Sequence, residues 1–174
     1  MPVEANVDSR HILVIGQSEL NSSSIAGNLS LFNGLCCSAS KTLPGLSSDA
    51  INGYSLFLVD CFKMSTEEVL DLVDSPDFPN EPGHPKVAFI NVCPHKEIER
   101  PALEVGVKGF FYEYDNVETL QSGVSTILKG ELWISREKMS DAFSRKRKRA
   151  TKAANKSPLD ALTKRESEIF KLVV

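Results

Sequence analysis

No run of apolar residues in this sequence approaches the about 20 needed to cross a bilayer, so an integral membrane helix is not expected. Aromatic residues are scarce at 7%, with a single tryptophan, and there are only three histidines and four cysteines. The cysteines form no CxxC pair, and the N-terminus, MPVEANVDSR, has no basic n-region of a secretory signal. They therefore read as reduced thiols of a cytoplasmic protein, not as a disulfide scaffold. Nucleophile–base pairings and phosphate-cradling glycine loops are missing, so no enzyme is expected. Internal repeats are missing too.

What is present suits one ordinary domain with an appendage: 174 residues, 41% hydrophobic and 25% charged, enough to close a core. The net charge of −3 hides an asymmetry. Residues 136–174 hold 12 basic and 5 acidic side chains, a net of +7, whereas residues 1–135 hold 8 basic and 18 acidic, a net of −10. An acidic body thus carries a basic extension, and the extension is where an anion or nucleic acid would settle.

Along the body, short apolar runs alternate with helical patterns. The runs are His11–Gly16, Leu35–Ser40, Ser55–Asp60, Val87–Val92 and Gly109–Tyr112, each read as a strand. Residues 18–32 space Leu20, Ile25, Leu29 and Phe32 as a helix would, and Thr66–Val73 reads as a short helix with acids in its first turn. Four prolines make Ser75–Pro85 a loop. Asp115 and Glu118 fit a capping box for a helix running through Leu128. Strand–helix alternation predicts an α/β fold, a parallel sheet wrapped by helices.

After residue 131 the character changes. Residues 132–149 carry a helical stripe (Leu132, Met139, Phe143) and end in the basic run 145–149, read as an extra helix. Residues 150–161 are small and polar and are broken by Pro158, hence a linker. Residues 162–174 open a helix with a Thr163/Glu166 capping box, the expected first element of a truncated domain.

A five-stranded α/β body whose third strand ends in Asp60 resembles a response-regulator receiver. That resemblance implies the flavodoxin-like strand order 2-1-3-4-5. It also implies an acidic pair for Mg²⁺ after strand one, a phosphoacceptor Asp after strand three, a Thr or Ser after strand four and a Lys after strand five. Here Asp60 stands at the acceptor position, but Gly16 and Gln17 replace the acids, Asn91 the hydroxyl residue and Glu113 the lysine. Too few oxygen ligands remain for Mg²⁺, so the receiver is degenerate, Asp60 is a vestigial phosphoacceptor and no metal is expected.

The stretch Leu162-Thr163-Lys164-Arg165-Glu166-Ser167-Glu168 resembles the opening of a LuxR-type helix-turn-helix, LTxRExE. Between the two lies Trp133-Ile134-Ser135-Arg136, and the whole arrangement resembles the CsgD- and VpsT-like biofilm regulators. In the VpsT-like branch a W-[FLM]-[ST]-R motif binds cyclic di-GMP and couples it to dimerisation. Carried over, Trp133, Ile134, Ser135 and Arg136 become the ligand motif, with Ile134 departing from the usual residues. The implied protein is a cytoplasmic, homodimeric transcription regulator that reaches promoter DNA through the complete helix-turn-helix domain.

The chemistry of the motif is compatible with that ligand. Three residues apart on a helix, Trp133 and Arg136 would share a face. An indole stacks on purines, and a guanidinium takes phosphate oxygens by paired hydrogen bonds. A two-fold dimer would enclose more of so large a ligand. From the tetrapeptide alone, Trp133 reads more readily as a core or interface aromatic, a preference that its place between a degenerate receiver and LTxRE reverses, and Arg136 is equally a solvated charge. Two rival regulators follow: one dimerising constitutively without ligand, the other a phospho-switch at Asp60. Cys61, Cys93 and His95 would sit near one sheet edge, but buried cysteine is more often simply apolar filling. His11 and His84 read as incidental.

Overall fold

The computed structural model describes residues 10–32, 34–42, 51, 53–79, 81, 83–95 and 97–140. The chain divides into two compact units, Met1–Ile134 and Ser135–Val174. Linker residues 150–161 and the helix-turn-helix opening at 162–174 lie outside the described residues, as does the basic run 145–149.

The first unit runs β1 (Arg10–Ile15), α1 (Glu19–Ser30), β2 (Leu35–Ser40), β3 (Leu56–Asp60), α2 (Thr66–Val73), β4 (Lys86–Val92), α3 (Glu99–Glu104), β5 (Gly109–Tyr112) and α4 (Val117–Leu128). All five strands pair in parallel, in the order β2-β1-β3-β4-β5 expected from the sequence. Strand residues alternate between two cores because successive side chains leave opposite faces. Leu13, Ile15, Phe57, Val59, Phe89 and Phe110 join α2 and α3 on one face. On the other, Ile12, Val14, Leu56, Leu58, Ile90 and Phe111 meet Ala26 and Leu29 of α1 and Val124 and Ile127 of α4. The central strand β3 is buried along its whole length. Covered on both faces, it reads in sequence as a continuous apolar run.

Local chemistry sets the helix starts. Ser65 caps α2 in a full capping box with Glu68, two bonds of 3.1 and 2.6 Å. The capping box expected from Asp115 and Glu118 does not form. Asn116 caps α4 by accepting from the Thr119 amide at 2.8 Å, and Asp115 instead accepts from the Tyr112 amide at 2.7 Å, fastening the turn after β5.

The buried stripe of α1 also differs from the expected one. Ser22, Ala26 and Leu29 face the sheet, while Leu20 is 83% exposed and Phe32 42%. Small side chains let the helix approach the strands closely, and that close approach displaces the larger residues to the outside. Helix α3 escapes periodicity: it has six residues, one of them Pro101, and buries Glu99 and Ala102 behind Ile98. No helix among the described residues is long and apolar enough to cross a membrane.

Candidate functional site

Asp60 ends β3 and is 4% exposed. Its carboxylate accepts from the Phe62 amide at 3.0 Å and from Asn91 Nδ2 at 2.8 Å on Oδ1, and from Asn21 Nδ2 at 3.3 Å on Oδ2. Among the described residues, these donors are all neutral. Lys63 directs its ammonium over the Phe62 ring, 5.3 Å from the centroid. Glu113, at the position where a receiver places lysine, is exposed.

A Mg²⁺ ion beside Asp60 needs several hard oxygen ligands in near-octahedral array. Gly16 supplies no side chain, Gln17 is exposed, and the groups that reach the carboxylate are N–H donors. These residues do not fit the ion. Among the described residues no three of His, Cys, Asp and Glu gather to hold a metal. Cys61 is buried, Cys93 is half-buried and His95 is exposed.

Asn91 owes its reach to the backbone. The β4–β5 register shifts between Phe89 and Val92, and Asn91 sits at a φ of 55°. That left-handed region is one that asparagine tolerates better than most residues. Beside it a cleft of about 160 Å³ is floored by Ile90 and Phe111 and walled by Ile25 and Leu120. Ligand pockets commonly measure about 300–1,000 Å³, so this cleft is too small for a cyclic dinucleotide.

The four residues of the W-I-S-R motif fall into two structural roles. Trp133 is not on a helix. It pairs in parallel with Gly109, its amide donating to Lys108 O at 2.8 Å and its carbonyl accepting from Phe110 N at 2.9 Å. Trp133 therefore makes an isolated bridge alongside β5, and the two side chains point to opposite faces: Trp133 packs with the α1/α4 core and Ile134 with the α2/α3 core. The indole stacks on Phe111 with centroids 6.1 Å apart and planes 24° from parallel.

Two glycines make the seat. A Cβ at Gly109 would strike Ile127 and come within 3.3 Å of Trp133 Cβ, and one at Gly123 would strike the Phe111 ring and come within 2.8 Å of Trp133 Cδ2.

The extra helix expected from residue 132 begins instead at 136. Ser135 is its cap: its hydroxyl accepts from the Lys138 amide at 3.2 Å, and its carbonyl from Met139 N at 2.9 Å. Trp133 and Arg136 therefore do not share a helix face, because the backbone is extended at one and helical at the other. Arg136, the first helical residue, is exposed.

Tyr112 and Glu99 form a buried polar pair at the end of β5, the phenol donating to Glu99 Oε1 at 3.2 Å. Burial, followed by the negative charge of Glu99, pushes the Tyr112 pKa upward. Because the folded form holds this proton more tightly than the unfolded chain, the pair stabilises the fold fully below the ordinary tyrosine value of about 10. That contribution falls as pH rises beyond 10 towards the raised folded value. Denaturation midpoints between pH 9 and pH 11 are expected to fall less steeply in Tyr112→Phe than in the parent; equal slopes would contradict the assignment.

Sequence inspection missed the donors to Asp60 and the seat of Trp133. Nothing marked Asn21, whereas Gly123 in the middle of an apolar helical stripe was a usable sign.

No protein-family model and no curated protein matches the chain. Solved structures do. A LuxR family DNA-binding response regulator from Silicibacter pomeroyi aligns with a TM-score of 0.54 at 25% identity, over 74% of this chain and 98% of that one. The regulatory domain of the master biofilm regulator CsgD aligns with a TM-score of 0.58 at 17% identity, over 78% and 99%. A LuxR family two-component response regulator from an Aurantimonas species gives 0.56 at 12% identity, over 79% and 98%. The chain has the receiver-like fold of these regulators.

Proposed function

We propose, from a receiver fold similar to that of LuxR family response regulators, that this chain is the input part of a cyclic di-GMP-responsive transcription regulator. The ligand would be held at Trp133, Ile134, Ser135 and Arg136, and phosphorylation at Asp60 would play no part. The observation that carries this reading is the donor set around Asp60. Neutral N–H groups occupy the carboxylate where a phospho-switch needs a metal and a lysine, which supports an input other than phosphorylation.

Arg136 supports the ligand assignment. It is exposed and opens a helix capped by Ser135, and the first N–H groups of a helix favour an anion nearby. A guanidinium fork matches a phosphodiester in shape and charge. Cyclic di-GMP is itself two-fold symmetric, which suits a homodimer. The dimer would place two LuxR-type domains, opening at residues 162–174, on promoter half-sites. The resemblance of Trp133–Arg136 and of residues 162–168 to the motifs of biofilm regulators is what brings biofilm matrix control, in the cytoplasm, into the proposal.

Calorimetric titration of cyclic di-GMP, followed by sedimentation velocity, tests the proposal. Saturable heat with a rise in sedimentation coefficient is expected; absence of both would sink it. The packing of Trp133 against Phe111 favours a second reading, the same architecture dimerising constitutively with the motif used for packing. In that case the dimer forms without ligand and survives Arg136→Ala.

A further inference from the structure

Three segments distant in sequence send an N–H to one buried carboxylate. Asn21 comes from α1, the Phe62 amide from the turn after β3, and Asn91 from the irregular end of β4. Around them the strand ladders continue past their ends: Gly16 N–H donates to Ser40 O at 3.0 Å, Cys61 N–H to Ile90 O at 2.9 Å and Glu113 N–H to Val92 O at 3.2 Å.

Gly16 closes β1 against this group. A Cβ there would lie 2.7 Å from Ser22 Oγ and 2.8 Å from Asp60 Cβ. A hydroxyl can rotate away, but Asp60 Cβ is fixed to its backbone, so any side chain at position 16 forces the ends of β1 and β3 apart. The close approach also leaves Ser22 Oγ fully buried without a hydrogen-bond partner. A buried unpaired hydroxyl is unfavourable. Asn91 adopts a left-handed backbone, uncommon outside glycine. Two locally unfavourable features thus converge where Asp60 is bound.

We propose that Asp60 is a clasp, not a relic. It fastens α1, the turn after β3 and the end of β4 into one arrangement, so the carboxyl edge of the sheet has a single state. This deepens the reading that Asp60 takes no phosphoryl group, and it stands apart from any ligand at Trp133. It also means that refitting the acids by Gly16→Asp and Gln17→Asp opens the clasp and does not restore an acceptor.

Amide hydrogen exchange on the whole chain tests this, using Asp60→Ala, Asn91→Gly (which removes the donor and keeps the left-handed backbone unstrained), their double variant and Asn21→Ala. A carboxylate stripped of its donors, or donors stripped of their carboxylate, should speed exchange at Cys61, Phe62 and Glu113 by about tenfold or more relative to Val14 in the core. The double variant should exchange no faster than Asp60→Ala, since both remove one clasp. Should Asp60→Ala fail to fold, Asn21→Ala at the half-exposed start of α1 carries the test alone. Exchange that is unchanged, or faster by the same factor at every amide, would overturn the clasp while leaving the absence of phosphorylation untouched. A phosphoryl mass gain at Asp60 from acetyl phosphate and Mg²⁺ would overturn both.

Discussion

Arg136→Ala is expected to weaken cyclic di-GMP binding by at least thirtyfold. Removing one partner of a hydrogen-bonded charge pair costs about 2–5 kcal/mol when the pair is desolvated. Arg136 starts from an exposed position, so the lower end applies, and about 2 kcal/mol corresponds to about thirtyfold in Kd. Arg136→Lys separates charge from shape. An ammonium keeps the attraction but loses the fork, so an intermediate loss of about tenfold is expected. Because Trp133 is the only tryptophan, its fluorescence reports on the motif without labelling. Ligand titration should change the emission in the parent and in Arg136→Lys, at higher concentration in the latter. Equal affinities for the parent and both variants would remove Arg136 from the site.

On the proposed reading, the packing of Trp133 limits what cyclic di-GMP can do there. One indole face lies on Phe111, so a guanine can stack only on the face turned away from the sheet, at about 1–3 kcal/mol for such a stack. The backbone of Trp133 is tied to Lys108 and Phe110. A ligand held there bears on a segment fastened to β5, which offers a physical route from the motif to the body. A ligand shifts a dimer only by its differential affinity for the two arrangements, and a fastened Trp133 is a means of generating that difference.

The receiver-like sheet was legible because buried parallel strands write themselves as unbroken apolar runs. Ser55–Asp60 and Val87–Val92 could be read directly, and the strand order followed from the resemblance. What periodicity could not show was decided by close contact. In α1 Leu29 faces the sheet as expected, but Leu20 and Phe32 face outward and Ser22 and Ala26, small enough for the close approach, complete the buried stripe. Leu132, Met139 and Phe143 fit a helical stripe, yet the backbone at Trp133 is extended because β5 offers Lys108 O and Phe110 N to a neighbour. A one-dimensional pattern contains no sheet edge, so it could not place the helix start at 136. For Asp60 the loss of partners was visible in the sequence, but the replacement of charged partners by asparagine amides from α1 and β4 was not.

Gly123→Leu should be among the most damaging single substitutions in the body, at about 3 kcal/mol or more. The sign is informative. Glycine within a helix is ordinarily worse than alanine by about 1 kcal/mol, so Gly123→Ala on an open surface would stabilise α4. Here even a methyl group strikes the Phe111 ring, and Phe111 is itself only 2% exposed. Overpacking of about 1–3 kcal/mol therefore cancels or exceeds the helical gain, and Gly123→Ala should be neutral to destabilising. Leucine leaves no compromise, so it must evict Trp133 from its stack. Chemical denaturation should show a lower midpoint, and the tryptophan emission of the folded protein should shift to the red. Trp133→Ala should itself cost about 3 kcal/mol, the low end for a large aromatic because the indole is half-buried. The two changes share one space, so the double variant should lose less than the two losses added together. Strict additivity, or a Gly123→Ala variant stabilised by the full helical gain, would mean that Trp133 is not seated on α4. The packing that favours constitutive dimerisation would then lose its support from α4 and rest on the Phe111 stack alone.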